Sequence, residues 1–254
     1  MTRIGLAVVI AAAALCTNAA SATADLSLSV YPQHPDARQS FLVTVSGLHT
    51  AGHIGLTLTQ HCGGTRTTHL VAETDNAGRA GFLFSPGADA DKVPYSVPCT
   101  GHSGTLHVTH LGSPLGTLTL PAVSVGTGPR LIAFGYGLVA HGSATELMWH
   151  PLSDGKLSRL HNLSVSAAGL HPGGSYALHL SRLTGQGTSC LHRPWSGSSF
   201  TASSDGVIAP SQNYAYLHYR PNAEGSFPWC KPATYRADVR GPTHEQLDFT
   251  VPLV

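Results

Sequence analysis

The sequence has few charged side chains. Asp, Glu, Lys and Arg together make up 11% of the 254 residues, and the formal net charge at pH 7 is +1. A protein that binds nucleic acid or an anionic membrane normally carries a field of basic residues. The chain has neither such a field nor an acidic tail, so the composition predicts no nucleic-acid partner.

Long apolar runs are equally scarce after residue 24. No later segment approaches the roughly 18 consecutive apolar residues of a membrane-spanning helix. Residues 1–24 combine Arg3, an apolar run from Ile4 to Cys16 and small residues at positions 20, 22 and 24, which is the pattern of a secretory signal peptide. We therefore expect residues 1–22 to be removed and the mature chain to be secreted, either extracellular or periplasmic, with no membrane insertion after removal.

Lysine is the rarest charged residue, with 3 Lys against 11 Arg, while Ala, Gly, Thr and Pro are abundant. This usage is typical of a GC-rich bacterial genome. The same bias raises the number of histidines, so the 16 His residues do not by themselves indicate a site.

One unit of sequence occurs twice. Residues 41–62 and residues 163–190 each contain an alternating strand, a Gly-Leu-His turn, a second alternating strand and a cysteine. Alternation of apolar and polar residues is typical of a half-buried strand. Further strands and turns follow each copy, about seven short strands per copy in all, and no segment has sustained helical periodicity.

The repeat predicts the fold class and its division. We expect an all-β protein of two tandem immunoglobulin-like β-sandwich domains, with domain 1 at 25–122, a linker at 123–130 and domain 2 at 131–254. The first strand of domain 2 is placed at 145–151. Segment 131–143 has no counterpart in the first copy, and we interpret it as an added strand or an interdomain plug.

Cysteines are few, and four remain after the signal peptide. An even number in an exported chain favours disulfides. Four cysteines permit three connectivities, and the repeat selects one bridge per domain, Cys62 to Cys99 and Cys190 to Cys230. In an immunoglobulin-type sandwich the third and sixth strands are antiparallel neighbours, so this fold permits the predicted bridge.

The order of strand, Gly-Leu, glycine turn, strand, Cys, Asp-containing turn and second Cys resembles secreted bacterial immunoglobulin-like domains and, among these, the neocarzinostatin apoprotein family. The matching positions are Val43, Gly47, Leu48, Cys62, Asp75, Gly78 and Cys99, and then Gly169, Leu170, Cys190, Asp205, Gly206 and Cys230. The resemblance implies a seven-stranded sandwich, and that family carries an enediyne chromophore. Because the family has two short-range disulfides in one domain, whereas each half here has two cysteines, chromophore binding is not carried over.

Aromatic residues are concentrated in the second half, which holds every Trp. Alternation in the segment NYAYLHY places Tyr214, Tyr216 and His218 on one face. With Trp195 or Trp229 nearby, this face is a candidate stacking platform for a sugar or flat ligand, and the alternative is that these aromatics pack beneath long loops. Binding there is expected to depend on pH through His218, because histidine changes charge near pH 6.5.

Catalytic and metal motifs are weak. Ser103 in GHSGT lacks the second glycine of a hydrolase elbow. His61, His69, His102, His107 and His110 lack the short spacings of a zinc site, and we expect them to face solvent. The sequence thus predicts no cofactor, no metal and no enzyme activity.

The expected function is a secreted, non-enzymatic binding or structural protein with an extracellular or cell-surface partner of unknown identity. The alternative is a carrier of a small aromatic or sugar ligand in domain 2. A secreted hydrolase ranks third.

Overall fold

A computed structural model of the chain describes residues 25–49, 52–85, 95–97, 99–126, 128, 130–141, 144–152, 157–184, 195–208 and 233–251. These residues form fourteen β-strands in four sheets with antiparallel pairing. None of the described segments is a helix of the length and apolar character that crossing a membrane requires.

The first half is a sandwich of seven strands. These are β1 (Ser27–Tyr31), β2 (Phe41–Ser46), β3 (Gly52–His61), β4 (Thr65–Thr74), β5 (Arg79–Phe84), β6 (Gly104–His110) and β7 (Ser113–Leu120). One sheet has the order β1-β2-β5 and the other β4-β3-β6-β7. The expected antiparallel pairing of the third and sixth strands is confirmed, with Leu56 opposite Val108.

The core of the first half lies between these two sheets. Its buried members come from alternate positions of the strands, as half-buried strands require. They include Phe41, Val43, Val45, Ile54, Leu56, Leu58, Phe82, Phe84, Leu106 and Val108. The predicted all-β sandwich class is therefore confirmed.

The second half also contains seven strands. They are β8 (Leu131–His141), β9 (Ala144–Pro151), β10 (Leu157–Ala167), β11 (Ser175–Arg182), β12 (Trp195–Thr201), β13 (Ala233–Arg240) and β14 (His244–Val251). The sheets have the orders β10-β8-β9 and β12-β11-β13-β14. A second buried cluster, which includes Leu163, Val165, Tyr176, Leu178, Leu180, Tyr235 and Val239, lies between them.

The placement of the first strand of the second half at 145–151 was wrong. Strand β1 pairs with β2 from Ser27 opposite Ser46, and the equivalent pairing in the second half is β8 with β10, from Leu131 opposite Ala167. Segment 131–141 is thus the first strand. Strand β9 pairs only with β8 in the described sheet, and it is the added edge strand.

The repeated Gly-Leu turns dock on a second turn in the same way in both halves. The backbone N–H of Leu48 donates to the carbonyl of Gly78 (3.0 Å), and that of Leu170 donates to Gly206 (2.9 Å). Both leucines are buried. The repeat therefore encodes a contact between two turns as well as two strands.

One matched position of the repeat was wrong. Asp75 closes its turn by accepting hydrogen bonds at Oδ1 from the backbone N–H of Ala77 and Arg79. In the second half Ser203 does this with Oγ, which accepts from the N–H of Asp205 and Val207. Ser203, and not Asp205, is the counterpart of Asp75.

Gly78 and Gly206 are expected to be intolerant of any side chain. Both have positive φ, +67° and +70°, and a Cβ on either would overlap the carbonyl oxygen of the leucine whose N–H donates to that glycine. We expect Gly78→Ala or Gly206→Ala to lower the free energy of unfolding by about 3 kcal/mol or more, from backbone strain and overpacking together, measured by urea denaturation.

Gly63 supplies the matched control. Its φ is +69°, but a Cβ there would have no atom within 4 Å. Gly63→Ala is therefore expected to cost only the strain of about 1–2 kcal/mol. Equal losses at Gly63 and Gly78 would show that the turn-to-turn contact contributes nothing beyond backbone strain.

Candidate functional site

The predicted ligand platform falls largely outside the described residues. Tyr214, Tyr216, His218 and Trp229 are not described, and of Trp195 only the backbone is, at the start of β12 opposite Leu180. The stacking platform stays a prediction. The second predicted bridge, Cys190 to Cys230, also lies outside the described residues.

The first predicted disulfide is confirmed. Cys62 and Cys99 are bonded, with their Cα atoms 5.8 Å apart. The buried amide of Gln60 holds the loop beside the bridge, because its Oε1 accepts from the N–H of Cys99 (3.2 Å) and its Nε2 donates to the carbonyl of His102 (3.0 Å). Sequence reasoning found the bridge but missed this glutamine, whose only signal is a polar residue on the apolar phase of β3.

The two halves meet through a third apolar cluster, which we call the joint. Its buried members are Leu42 and Leu83 from the first half and Ile132, Phe134 and Trp149 from the second. Tyr31 meets Phe134 edge to face, with ring centroids 6.2 Å apart. Segment 131–141 therefore serves both as a strand and as an interdomain contact, so the plug interpretation was partly right.

A buried polar group continues the joint. The Oγ of Ser166 accepts a hydrogen bond from the N–H of Ser40 across the two halves (2.9 Å). Ser40 Oγ in turn donates to Ser85 Oγ (2.8 Å), and Ser166 Oγ donates to the carbonyl of Ile208 (3.3 Å). These side chains are buried. Because a buried polar group that loses its partner costs free energy, separating the halves at this point is unfavourable.

The edge of the joint is amphipathic. Tyr136 is half-buried and packs on Trp149, with ring centroids 5.3 Å apart. Burial raises the pKa of the Tyr136 hydroxyl, and the nearby charge of Glu73 raises it further. This tyrosine therefore stays neutral at the rim of the joint.

The outer face of sheet β4-β3-β6-β7 carries an ordered set of neutral polar side chains, which we call the threonine–histidine face. One row across the strands is His69, Thr57, His107 and Thr117. The next row is Thr67, Thr59, Thr105 and Thr119. All eight are exposed or partly exposed.

Cross-strand hydrogen bonds fix the imidazoles of this sheet. The Nδ1 atoms of His69 and His107 lie 3.3 Å from the Oγ1 atoms of Thr57 and Thr117, respectively. The Nδ1 of His61 lies 3.1 Å from Oγ1 of Thr65. The expectation that these histidines face solvent is confirmed, since His61, His69, His102 and His107 are exposed and His110 is partly exposed.

Paired charges occupy the equivalent face of the second half. Asp238 is almost fully buried, and it contacts Arg240 and the Nε2 of His244 (3.3 Å). Burial raises the pKa of Asp238, but hydrogen bonds from Arg240, His244 and Gln246 outweigh it, so the pKa lies below its ordinary value. Beside it, Arg236 donates to Asp248 (2.7 Å). The two outer faces thus differ in chemistry although their strands correspond.

In the first half, the edge strand β4 of sheet β4-β3-β6-β7 is protected. The buried Tyr95 hydroxyl accepts from the N–H of Val71 (2.8 Å) and donates to its carbonyl (2.7 Å). Both outward backbone groups of Val71 are therefore occupied, which prevents another strand from pairing there.

Two other features give no assembled site. A depression of about 430 Å³ is lined by Gln33, His34, Pro35, Pro121, Ala122 and Ser124, none of which is a predicted ligand residue. Ser103 is exposed in the turn before β6. Within the described part of the chain, no group of three or more His, Cys, Asp or Glu side chains is placed to hold a metal ion.

No family model matches the chain, and no curated protein does either. The resemblance to the neocarzinostatin apoprotein family is therefore unsupported by these comparisons. Among solved structures, the chain is similar at a TM-score of 0.24 and 13% identity to a tetra-tandem repeat in the extending region of a large adhesion protein, with 89% of this chain and 48% of that chain covered. It is similar at a TM-score of 0.24 and 10% identity to red sea bream transglutaminase, with 89% of this chain and 31% of that chain covered. The chain thus spans less than half the length of either structure, and likeness at this level assigns no function.

Proposed function

We propose that the chain is an exported, non-enzymatic binding or structural module in which two β-sandwiches hold their outer faces in a fixed relation. The observation that carries this proposal is the joint. It combines five buried apolar residues with a buried hydrogen bond between the halves. A flexible tether would need neither.

Export is supported by two features of different kinds. The N-terminal segment has the composition of a signal peptide, and the described cysteines form a disulfide, which is the expected state of cysteines in an oxidising compartment. The proposed partner is extracellular or on a cell surface. Small-ligand carriage by Tyr214, Tyr216, His218, Trp195 and Trp229 remains the alternative, and hydrolysis ranks third.

A distance measurement tests the fixed relation. Spin labels are introduced through non-native amino acids at Thr117 in the first half and Gln246 in the second, both of which are exposed. We expect a single narrow distribution of label distances. A reference pair at Thr117 and Arg66, within one sandwich, gives the width due to the labels alone. A distribution much broader than the reference would show that the halves pivot, and the proposal of a rigid module would fail.

A further inference from the structure

Four histidines lie on or beside the threonine–histidine face. Strand β3 carries His53 and His61 at its two ends, and His69 and His107 lie on the strands to either side of it. Histidine is the side chain that gains a proton between neutral pH and about pH 5. Protonation of these four side chains would add four positive charges to a surface whose rows are otherwise made of threonines.

Few other charges oppose or add to this change. Glu73 on β4 lies 3.8 Å from His53 and faces Tyr136 of the second half. Arg66 lies at the opposite end of β4, opposite the buried Gln60 and in phase with the buried Thr68, so it does not belong to the threonine–histidine face. His102 precedes β6 and His110 ends it, whereas β7 contains no titratable side chain.

The threonine partners allow protonation without rearrangement. A threonine hydroxyl can either donate or accept a hydrogen bond. It donates to Nδ1 of a neutral ring, and by rotation it accepts from the Nδ1–H of a charged ring. The pairs Thr57 with His69, Thr65 with His61 and Thr117 with His107 therefore persist in both states.

The spacing of the histidines indicates the shape of the partner. His53 and His61 are eight residues apart on one strand, about 27 Å at 3.4 Å per residue. His69 and His107 lie two strands apart, about 10 Å. One metal ion or one small anion cannot contact all four. A chain with repeated negative groups can.

We propose that the threonine–histidine face, together with His53 and His61, binds a linear polysaccharide bearing carboxylate groups when the surroundings are acidic. The proposal rests on the chain being an exported binding module and names the chemical class of its partner. Hydroxyls of the two threonine rows supply neutral hydrogen bonds along the same surface, and the histidines supply the charge.

The corresponding outer face of the second half is less suited to binding a polyanion than the threonine–histidine face. Its corresponding sheet holds charges in Asp238–Arg240 and Arg236–Asp248 pairs. Of its described histidines, His179 lies opposite Asp238 and His244 contacts it. Acidification there adds charge beside carboxylates that are already paired. A polyanion would therefore meet competing negative groups on that face.

Titration of the mature chain with defined polymers tests the proposal. Polygalacturonate supplies carboxylates, polyphosphate supplies phosphates and dextran is the neutral control. We expect polygalacturonate to bind about tenfold or more tightly at pH ~5 than at pH ~7.5, with the binding weakened by added salt and no binding of dextran. Binding of polyphosphate alone would overturn the proposal.

The double variant His69→Gln and His107→Gln is expected to lose most of the gain at acidic pH. His34→Gln is the matched control, because His34 is exposed in the same half but lies away from this sheet. All three positions are exposed, so circular dichroism is expected to show an unchanged fold. Equal affinity at the two pH values, equal losses in both variants, or binding of dextran would overturn the proposal. None of these outcomes alters the spin-label distances, so the rigid module is tested separately.

Discussion

Replacing Trp149 by alanine is expected to lower the free energy of unfolding by about 3–5 kcal/mol, the usual cost of truncating a buried aromatic residue. Trp149 is 5% exposed and belongs to the joint with Leu42, Leu83 and Phe134. The close approach at this point is shown by Gly81, where a Cβ would lie 2.5 Å from the Trp149 carbonyl oxygen. The cavity would therefore open between the halves and not inside either sandwich.

Calorimetry distinguishes this loss from ordinary core damage. In the unaltered chain we expect the halves to stabilise each other, and in Trp149→Ala the two unfolding transitions should separate. Phe249→Ala is the matched control, because Phe249 is also buried in the second half but packs on Tyr235 inside its own core. It should destabilise the second half and leave the distribution of spin-label distances between the halves narrow. If the distribution is equally narrow in Trp149→Ala, the joint does not fix the position of one half relative to the other.

The strands were predictable because burial follows alternation. Phe41, Val43 and Val45 occupy one phase of β2, and all three lie in the first core. The first half's side of the joint was missed because the same rule assigns Leu42 and Leu83 to solvent. Both are buried, since a second sandwich covers the outer face of β2 and β5. Unbroken apolar runs, FLV at 41–43 and FLF at 82–84, were the available signal of burial on both faces.

The wrong choice of β9 instead of β8 as the first strand of the second half has a different cause. Both segments contain runs of apolar residues, so periodicity cannot decide which one is the counterpart of β1. Pairing decides it, because Ala168 donates its N–H to the carbonyl of Arg130, next to the start of β8. Local sequence contains no information on a hydrogen bond that joins residues so far apart in the chain.

The sequence predicts which side chains of the threonine–histidine face are exposed, but it does not predict which of them lie side by side. The sequence shows that His107 lies on the polar phase of its strand, and this position is exposed. Its alignment with Thr57 and His69 depends on the registers of β3 with β4 and β6. A slip of one residue in either pairing would move every side chain to the other face, so the rows could be read only from the structure.

Removing the Cys62–Cys99 bridge is expected to have the other large effect. The bridge closes a loop of 37 residues, and the chain-entropy relation for a loop of this length gives about 4 kcal/mol of stabilisation. The double variant Cys62→Ala and Cys99→Ala removes the bond without leaving a free thiol. Urea denaturation without reductant should show the loss of stability in the first half. The bridge lies there, because Cys62 follows the end of β3 and Cys99 precedes the start of β6. A loss below about 1 kcal/mol would show that the Gln60 hydrogen bonds, and not the bridge, hold this loop.

The same variant tests the second predicted disulfide. Once Cys62 and Cys99 are gone, the only cysteines left in the mature chain are Cys190 and Cys230. If they are bonded, as the repeat predicts, a reductant should destabilise the variant further by a similar amount, because their loop is of similar length. The loss should appear in the second half, and peptide mapping without reduction should recover the two cysteines in one linked fragment. If reductant does not change the stability of the variant and two free thiols are found, the turns and strands are repeated in the second half but the disulfide is not.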